Sequence, residues 1–297
     1  MPFDATNQES APLTFALSRA ANCMFEELSV ARALLRGRDQ SKCVMIDVGA
    51  HSGGSFPPFI DAGWTVHAFE PDPSNRAGIP KRYLDNPRFI LDPRALSDKV
   101  QEDVAFFTSS ESTGISGLTA FHNTHVETTR VSTTTLANVI ADRAIDHITL
   151  LKVDTEGFDL FVLQGMAWDR VAPEVVITEY ENNKTERLGY TFEDQIRLLE
   201  SHGYTVFVSE WWPIVRYGIR HHWCSLYPAA QKRPPAASWG NLIAFKRPPP
   251  LKDIYRAMLE AVDLPGDADT LSQANAEFAA LKARGLTMAV EADESTQ

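Results

Sequence analysis

Two short stretches carry residues whose types and spacing suit the binding of a nucleotide-like ligand. The apolar run 44–48 contains one acid, Asp47, and breaks into a turn that holds Gly49 and Gly53. Open parallel α/β sheets present their first strand to such ligands in this way. A second apolar run ends in Glu70, the position where these folds hold a ribose diol. The two stretches therefore predict a nucleotide site at the carboxyl edge of a parallel sheet.

The spacing of the glycines argues against a dinucleotide. In the G-x-G-x-x-G fingerprint the third position is a glycine that lets the backbone approach a pyrophosphate, and here that position is His51. The pattern is instead Asp-x-Gly-x-x-x-Gly over residues 47–53. An NAD-dependent oxidoreductase is consequently an alternative that the loop disfavours. A tight turn between strand and helix without any ligand is the other reading of this loop alone.

A second group of acids follows the buried apolar run 150–153. Asp154 and Glu156 come directly after it, and a later apolar run ends in Glu179. Because the strand at 150–153 is expected beside the first strand, Asp154 should face Gly49 across the ligand crevice. A solvated acidic rim is the alternative for any one of these side chains, but several at successive strand ends favour a functional site. The acids expected at one rim are Glu70, Asp154, Glu156 and Glu179.

The elements that position these residues alternate between strand and helix from residue 44 onward. This order predicts a doubly wound α/β sheet, mostly parallel, with an antiparallel last strand. The predicted division of the chain is an N-terminal helical cap over 1–42, a main domain over 43–247, and a C-terminal helical extension with an acidic tail over 248–297. Within the main domain we expect an inserted hairpin at about 99–133 and an aromatic insertion at 210–240.

Composition restricts the class of protein. The 297 residues are 44% hydrophobic, enough for a sizeable core. A formal net charge of −11 without a dense basic cluster disfavours a nucleic-acid partner, since phosphate contacts need Lys and Arg. Three scattered cysteines do not suit a disulfide framework, and no apolar run reaches the ~20 residues that span a bilayer. The sequence therefore predicts a cytoplasmic protein with no membrane span.

The sequence resembles the FkbM-type methyltransferases over roughly residues 44–182. The matching stretches, in order along the chain, are Asp47–Gly53, Phe69–Pro71, Ala95–Asp98, Ile115–Leu118, Thr134–Leu136 and Leu151–Gly157. The resemblance implies a Rossmann-like methyltransferase fold that transfers a methyl group from S-adenosylmethionine to a hydroxyl oxygen. Two departures are Pro93-Arg94, where the family commonly has Asn, and Gly117, where it usually has a second serine.

The resemblance and the strand-end positions together give the candidate site residues. The expected cofactor contacts are Asp47, Gly49, Ala50, His51, Gly53, Glu70, Pro71, Ala95, Ser116 and Asp154. The candidate catalytic residues are His51, Glu156 and Glu179, because a hydroxyl acceptor needs a group that takes its proton. His51 could instead contact the cofactor carboxylate, and Glu156 could instead tie down its loop through backbone N–H groups.

No metal ion is expected. An acidic rim could hold a hard cation through its oxygens, but the sequence has no dedicated ligand spacing such as an EF-hand loop.

The acceptor is expected to be a small molecule or glycan, namely a sugar, glycan or natural product that carries a hydroxyl. Residues 210–240 concentrate tryptophans, tyrosines and arginines. Such a density of aromatic residues indicates either local packing or a surface that recognises the acceptor, and the position beside the acceptor side of the sheet favours the second. Besides the oxidoreductase, a non-catalytic Rossmann-like binding module is an alternative, which the intact Asp47, Glu70 and Asp154 disfavour.

Overall fold

The computed structural model describes residues 15–16, 23–214, 219, 221–263, 269, 272–273, 275–280 and 283. Its contacts separate two compact units, one formed by residues 38–195 and the other by residues 1–37 together with 196–297. The domain boundaries expected at residues 43 and 247 stay a prediction. The acidic tail and part of the expected C-terminal helical extension lie outside the described residues. None of the described helices is both long and apolar enough to cross a membrane.

Five parallel strands form the sheet of unit 38–195. They are β3 (Val44–Val48), β4 (Thr65–Phe69), β5 (Phe89–Asp92), β9 (Leu150–Val153) and β10 (Val175–Glu181). Their order across the sheet is β10-β9-β3-β4-β5, with every pair parallel. The strand order reverses beside β3, which is where open α/β sheets bind ligands. The predicted α/β fold class with a mostly parallel sheet is confirmed.

Helices lie between these strands and after the last of them. They are α2 (Pro57–Ile60), α3 (Pro73–Ala77), α4 (Lys81–Leu84), α5 (Leu136–Asp142), α6 (Asp159–Gln164), α7 (Asn182–Thr185) and α8 (Phe192–Ser201). Local sequence explains where they begin. The side chain of Asp72 accepts a hydrogen bond from the Ser74 backbone N–H and so caps α3, and Thr135 caps α5 through the backbone N–H of Asn138. Prolines occupy the first turn of α2, where no donor is lost.

A three-stranded sheet stands between β5 and β9 along the chain. It consists of β6 (Ala95–Leu96), β7 (Gln101–Ser109) and β8 (His125–Thr134), in the order β6-β8-β7. The antiparallel pair β7–β8 is joined by residues 110–124, which include a 3₁₀ turn over Thr113–Ile115. We call residues 110–124 the hairpin tip.

The second unit holds an antiparallel sheet and helices. Its strands are β1 (Phe15–Ala16), β11 (Thr205–Trp211), β12 (Trp223–Pro228) and β13 (Trp239–Phe245), in the order β1-β12-β11-β13. The antiparallel last strand that the sequence predicts is observed in the pairing of β13 with β11. Helix α1 (Glu27–Leu35) packs on α9 (Leu251–Ala261), and the short strands β2 (Met24–Phe25) and β14 (Val262–Asp263) pair with each other.

Residues 210–240 are predicted to form an acceptor surface. This prediction is wrong for Trp211, Trp223 and Tyr227, which lie on strands and are buried. Trp223 and Tyr227 lie on β12 and are fully buried, and Trp211 on β11 is 5% exposed. Trp211 Nε1 donates to Glu27 at 2.8 Å, and Trp223 stacks on Phe25 with ring centroids 4.5 Å apart. Core packing therefore accounts for these rings. Arg216, Tyr217 and Arg220 lie outside the described residues.

Candidate active site

The glycine loop after β3 is a tight turn that packs on the strand beside it. Gly49 has φ +79°, and a Cβ atom placed there would lie 1.9 Å from the carbonyl oxygen of Asp154. The predicted proximity of Asp154 and Gly49 is thus observed, but the obstacle to a side chain at Gly49 is protein backbone. The N–H groups of Gly49 and Ala50 both donate to the Phe69 carbonyl at the end of β4. Gly53, with φ +102°, leaves room for the ring of Phe56.

A buried lysine beneath this loop organises two of the predicted acids. Lys152 Nζ lies 3.5 Å from Asp47 Oδ1 and 3.4 Å from Asp154 Oδ2, and it donates to the Gly49 carbonyl at 2.8 Å. Asp47 is fully buried and also accepts a hydrogen bond from Ser55. Burial raises the pKa of Asp47, and Lys152 partly offsets that effect. Burial alone lowers the pKa of Lys152, but Asp154 and Asp47 raise it overall, so the ammonium stays charged.

Lys152 was missed by the sequence reasoning. The available signal was a lysine within the buried apolar run 150–153, since a charge at such a position needs an anionic partner. Asp47 is buried beneath the loop and is held by Lys152 and Ser55.

Glu70 at the end of β4 is buried and connects the glycine loop to the start of α3. Its Oε2 accepts from the His51 N–H at 2.8 Å, and its Oε1 accepts from the Asp72 N–H at 2.8 Å. Arg76 donates to the carbonyl oxygens of both Glu70 and Pro71 at 2.7 Å. Burial raises the pKa of Glu70, while the hydrogen bonds from the Asp72 and His51 backbone N–H groups lower it. Asn75 Nδ2 also donates to Oε1 at 3.5 Å, and since each carboxylate oxygen has two lone pairs, Oε2 keeps acceptor capacity for a further hydroxyl donor.

The side chain of His51 joins the glycine loop to the hairpin tip. Its backbone has φ +51°, a left-handed conformation that is strained for a residue with a side chain. The ring nitrogen Nδ1 is 3.0 Å from Ser52 Oγ, and Nε2 is 2.9 Å from Thr113 Oγ1. Both ring nitrogens are therefore engaged by hydroxyl groups.

Two predicted cofactor contacts lie in or beside the three-stranded sheet. Ser116 Oγ donates to the Thr113 carbonyl at 3.0 Å and so stabilises the hairpin tip. Ala95 is buried against Phe106 and Val131 in the core of that sheet. Gly117, where the family resemblance suggested serine, packs on the loop after β9, and a Cβ there would lie 3.5 Å from Glu156 Cβ.

The loop after β9 carries a cluster of buried acids around one lysine. Glu156 has φ +57°, and Gly157 follows with φ +104°. Lys184 Nζ on α7 lies 2.6 Å from Glu156 Oε2, 3.0 Å from Glu179 Oε2 and 2.9 Å from Glu181 Oε2. Asp159 supports the loop by accepting from the Thr155 N–H at 3.1 Å and the Gly157 N–H at 3.2 Å. The sequence prediction that Glu156 and Glu179 lie together is confirmed by these contacts.

These carboxyl groups hold protons more tightly than isolated ones do. Burial raises the pKa of Glu156 to about 7; Lys184 lowers it and Asp154 raises it further. Burial raises the pKa of Glu179 well above its usual range despite Lys184. Burial and the nearby Asp154 raise the pKa of Asp159 to about 6. The cluster therefore contains at least one group able to exchange a proton near neutral pH.

The same carboxylates meet the distance requirement for a shared cation. Oxygens of Asp154, Glu156 and Glu179 lie within 4.8 Å of one another. The Lys184 ammonium already contacts Glu156 and Glu179 and supplies a positive charge there. We assign no metal to this cluster.

The sequence matches the model of the methyltransferase FkbM domain over residues 47–206, more than half of the chain. The chain belongs to the FkbM methyltransferase family. The methyl donor of this FkbM methyltransferase is therefore S-adenosylmethionine, as the resemblance implied. No curated protein matches the sequence.

Solved structures similar to this FkbM methyltransferase are distant in sequence. A precorrin-6y C5,15-methyltransferase from Geobacter metallireducens is 16% identical, with 74% of this chain and 87% of that chain covered and a TM-score of 0.37. A putative S-adenosylmethionine-dependent methyltransferase from Listeria monocytogenes is 10% identical, with 75% and 100% covered and a TM-score of 0.38.

Proposed function

We propose that this FkbM methyltransferase methylates a hydroxyl oxygen of a small-molecule acceptor, a sugar, glycan or natural product, with Glu156 as the general base. The observation that carries the proposal is the Glu156 carboxyl group. It follows the strand next to the glycine loop, its side chain is 14% exposed, and its pKa is raised to about 7. A base of this strength is suited to removing a hydroxyl proton near neutral pH.

The residues of unit 38–195 fit the chemistry of the cofactor. Glu70 keeps acceptor capacity at the strand end where a ribose diol binds in such folds. The Asp154 side chain is 40% exposed next to Gly49 and offers a negative charge to the ammonium of the methionine portion. We propose that Glu70 and Asp154 are the principal cofactor ligands, and that Pro71, Ala50 and Gly53 shape the pocket. When bound, S-adenosylmethionine supplies a methyl group already activated by its sulfonium.

Ala95 and Ser116 are weaker candidates for cofactor contact. Ala95 packs in the core of the three-stranded sheet, and Ser116 Oγ is engaged by the Thr113 carbonyl. Asp47 acts indirectly, since it is fully buried and holds Lys152 under the loop.

Glu156 suits the role of base better than the two other candidates. Both ring nitrogens of His51 contact hydroxyl groups of the protein, which favours a role in joining the glycine loop to the hairpin tip. Both carboxylate oxygens of Glu179 accept from Lys184, at 3.0 and 3.1 Å. In the proposed step the acceptor oxygen bonds to the methyl carbon, the electron pair of the broken C–S bond stays on sulfur, and the hydroxyl proton passes to Glu156.

The acceptor class rests on charge and on the resemblance to the family. The net charge of −11 disfavours polyanionic acceptors, so we expect no nucleic-acid substrate. The three cysteines of the described residues, Cys23, Cys43 and Cys224, are all free thiols, which supports our proposal of a cytoplasmic location.

The test is methyl transfer from S-adenosylmethionine with a deuterated methyl group to a panel of sugars, glycans and hydroxylated natural products. Mass spectrometry should detect a labelled O-methyl product with the native protein. Glu156→Gln should lower the rate at least a hundredfold, while Glu186→Gln, an exposed acid in the same unit, should leave it unchanged. Label on nitrogen or carbon, or full activity of Glu156→Gln, would contradict the proposal.

A further inference from the structure

Lys184 occupies the centre of the acidic cluster and is itself buried, with 3% of its side chain exposed. Its Nζ contacts carboxylates from two different elements, Glu156 after β9 and both Glu179 and Glu181 on β10. Glu179 and Glu181 are two residues apart on one strand and so lie on the same face. The ammonium therefore joins the end of β10 to the loop that carries the proposed base.

The backbone around Lys184 is fitted to this loop. A Cβ at Gly157 would lie 3.4 Å from Lys184 Cβ, so the loop and α7 pack closely. Tyr190 donates from its hydroxyl to the Gly157 carbonyl at 2.7 Å, and Gln195 donates to the Glu179 carbonyl at 2.7 Å. These contacts hold the loop beside α7 and tie the Glu179 backbone to α8.

The positive charge of Lys184 interacts with the carboxylates around it. Within the ion pairs of the described residues, it is the cation that contacts Glu156, and it faces three glutamates. Asp154 and Asp159 add further negative charge, and both raise the pKa of Glu156. From the hairpin tip the cluster is faced by Phe121, whose ring centroid is 5.5 Å from Lys184 Nζ and which also contacts the His125 ring. Without the ammonium, burial and like charges would all favour protonated carboxyl groups.

We propose that Lys184 is a positioning residue of this site, whose ammonium group fixes the Glu156 carboxylate in place and favours its ionised form. Lys184 binds Glu156 through Oε2, an oxygen that is buried. The 14% exposure of this side chain therefore belongs to its other atoms. The role rests on the proposed function only for its catalytic consequence; the ionisation of Glu156 can be measured without any acceptor.

The experiment is a titration of the cofactor-free protein labelled with ¹³C at the glutamate carboxyl carbon, followed by NMR. The Glu156 signal is the one lost in Glu156→Gln. In the native protein and in Lys184→Arg it should titrate near neutral pH. In Lys184→Met its midpoint should rise by at least one pH unit, a tenfold change in proton affinity, because the opposing charge is gone. Glu186→Gln serves as the control with an unchanged midpoint.

A second variant keeps the test decisive if Lys184→Met does not fold. Lys184→Gln keeps a polar side chain and removes the charge, so the Glu156 midpoint should rise as in Lys184→Met. An unchanged midpoint in folded Lys184→Met, or in Lys184→Gln where Lys184→Met is unfolded, would overturn the proposal. If the midpoints move as expected while the pH dependence of methyl transfer does not follow them, Lys184 still controls Glu156 and Glu156 is not the base.

Discussion

Replacing Gly49 with alanine should damage the glycine loop by two separable effects. The first is conformational, because φ is +79° and a residue with a Cβ pays about 1–2 kcal/mol in this region. The second is steric, because the new Cβ would lie 1.9 Å from the Asp154 carbonyl oxygen. Real Cβ contacts stay beyond 3.0 Å, so strand ends β3 and β9 must separate by roughly 1 Å. Overpacking of this kind costs about 1–3 kcal/mol.

The free energy of unfolding should therefore fall by roughly 2–5 kcal/mol in Gly49→Ala. Two other glycines separate the effects. Gly63 has φ +98°, and a Cβ atom placed there would have nothing within 4 Å, so Gly63→Ala should show the conformational cost alone. Gly54 has neither a positive φ nor a neighbour within 4 Å, so Gly54→Ala should be near neutral.

Urea denaturation of the three variants measures these differences, and calorimetry with S-adenosylhomocysteine measures the consequence for binding. Since separation of β3 and β9 displaces Asp154, Gly49→Ala should also bind this product at least tenfold more weakly. Equal stability of Gly49→Ala and Gly63→Ala would refute the steric argument.

Three further predictions concern individual side chains. Glu70→Gln should weaken S-adenosylhomocysteine binding by about 2 kcal/mol. Glu70→Ala should also lower the melting temperature, because the N–H groups of His51 and Asp72 lose their acceptor. Unchanged affinity by calorimetry would remove Glu70 from the cofactor site. Burial, with Arg143, lowers the pKa of His67 from 6.5 to about 4. Between these pH values the unfolded chain binds a proton at this histidine and the folded protein does not. The free energy of unfolding is therefore highest above pH 6.5 and falls as the pH drops to 4. This fall should reach roughly 3 kcal/mol in denaturation experiments on the native protein. It should be absent from His67→Gln, whose stability should otherwise depend on pH as that of the native protein does. Trp223→Ala should lower the free energy of unfolding by about 3–5 kcal/mol in urea denaturation, because Trp223 is fully buried. Trp212 is partly exposed, so Trp212→Ala should lower it much less, and equal effects would contradict the packing of β12.

Much of the parallel sheet follows from the sequence alone. Strands β3 and β4 begin and end where their apolar runs do, because both faces of a parallel strand are buried and polar residues mark its ends. The acids that follow each run are therefore found at one edge of the sheet. Family membership also followed from the order of short motifs along the chain.

Residues 210–240 show where local pattern was insufficient. Their aromatic residues suit either a binding surface or a core, and composition cannot distinguish the two. Pairing of β12 with β11 places Trp223 and Tyr227 inside the second unit. Burial of a side chain depends on which distant strand lies beside it, and this is a property of the tertiary structure.

The division of roles among the acids was likewise decided by the tertiary structure. The sequence determined that Asp47, Glu70, Asp154, Glu156 and Glu179 occur at or near strand ends. It did not determine that Lys152 holds Asp47 and Asp154 under the glycine loop, or that Lys184 joins Glu156 to Glu179. Those pairs connect residues from different elements, and the ionisation of each acid depends on its burial and on the charges within a few ångströms. The residue types and their order are fixed by the sequence, whereas proton affinity is fixed by the neighbours that folding brings together.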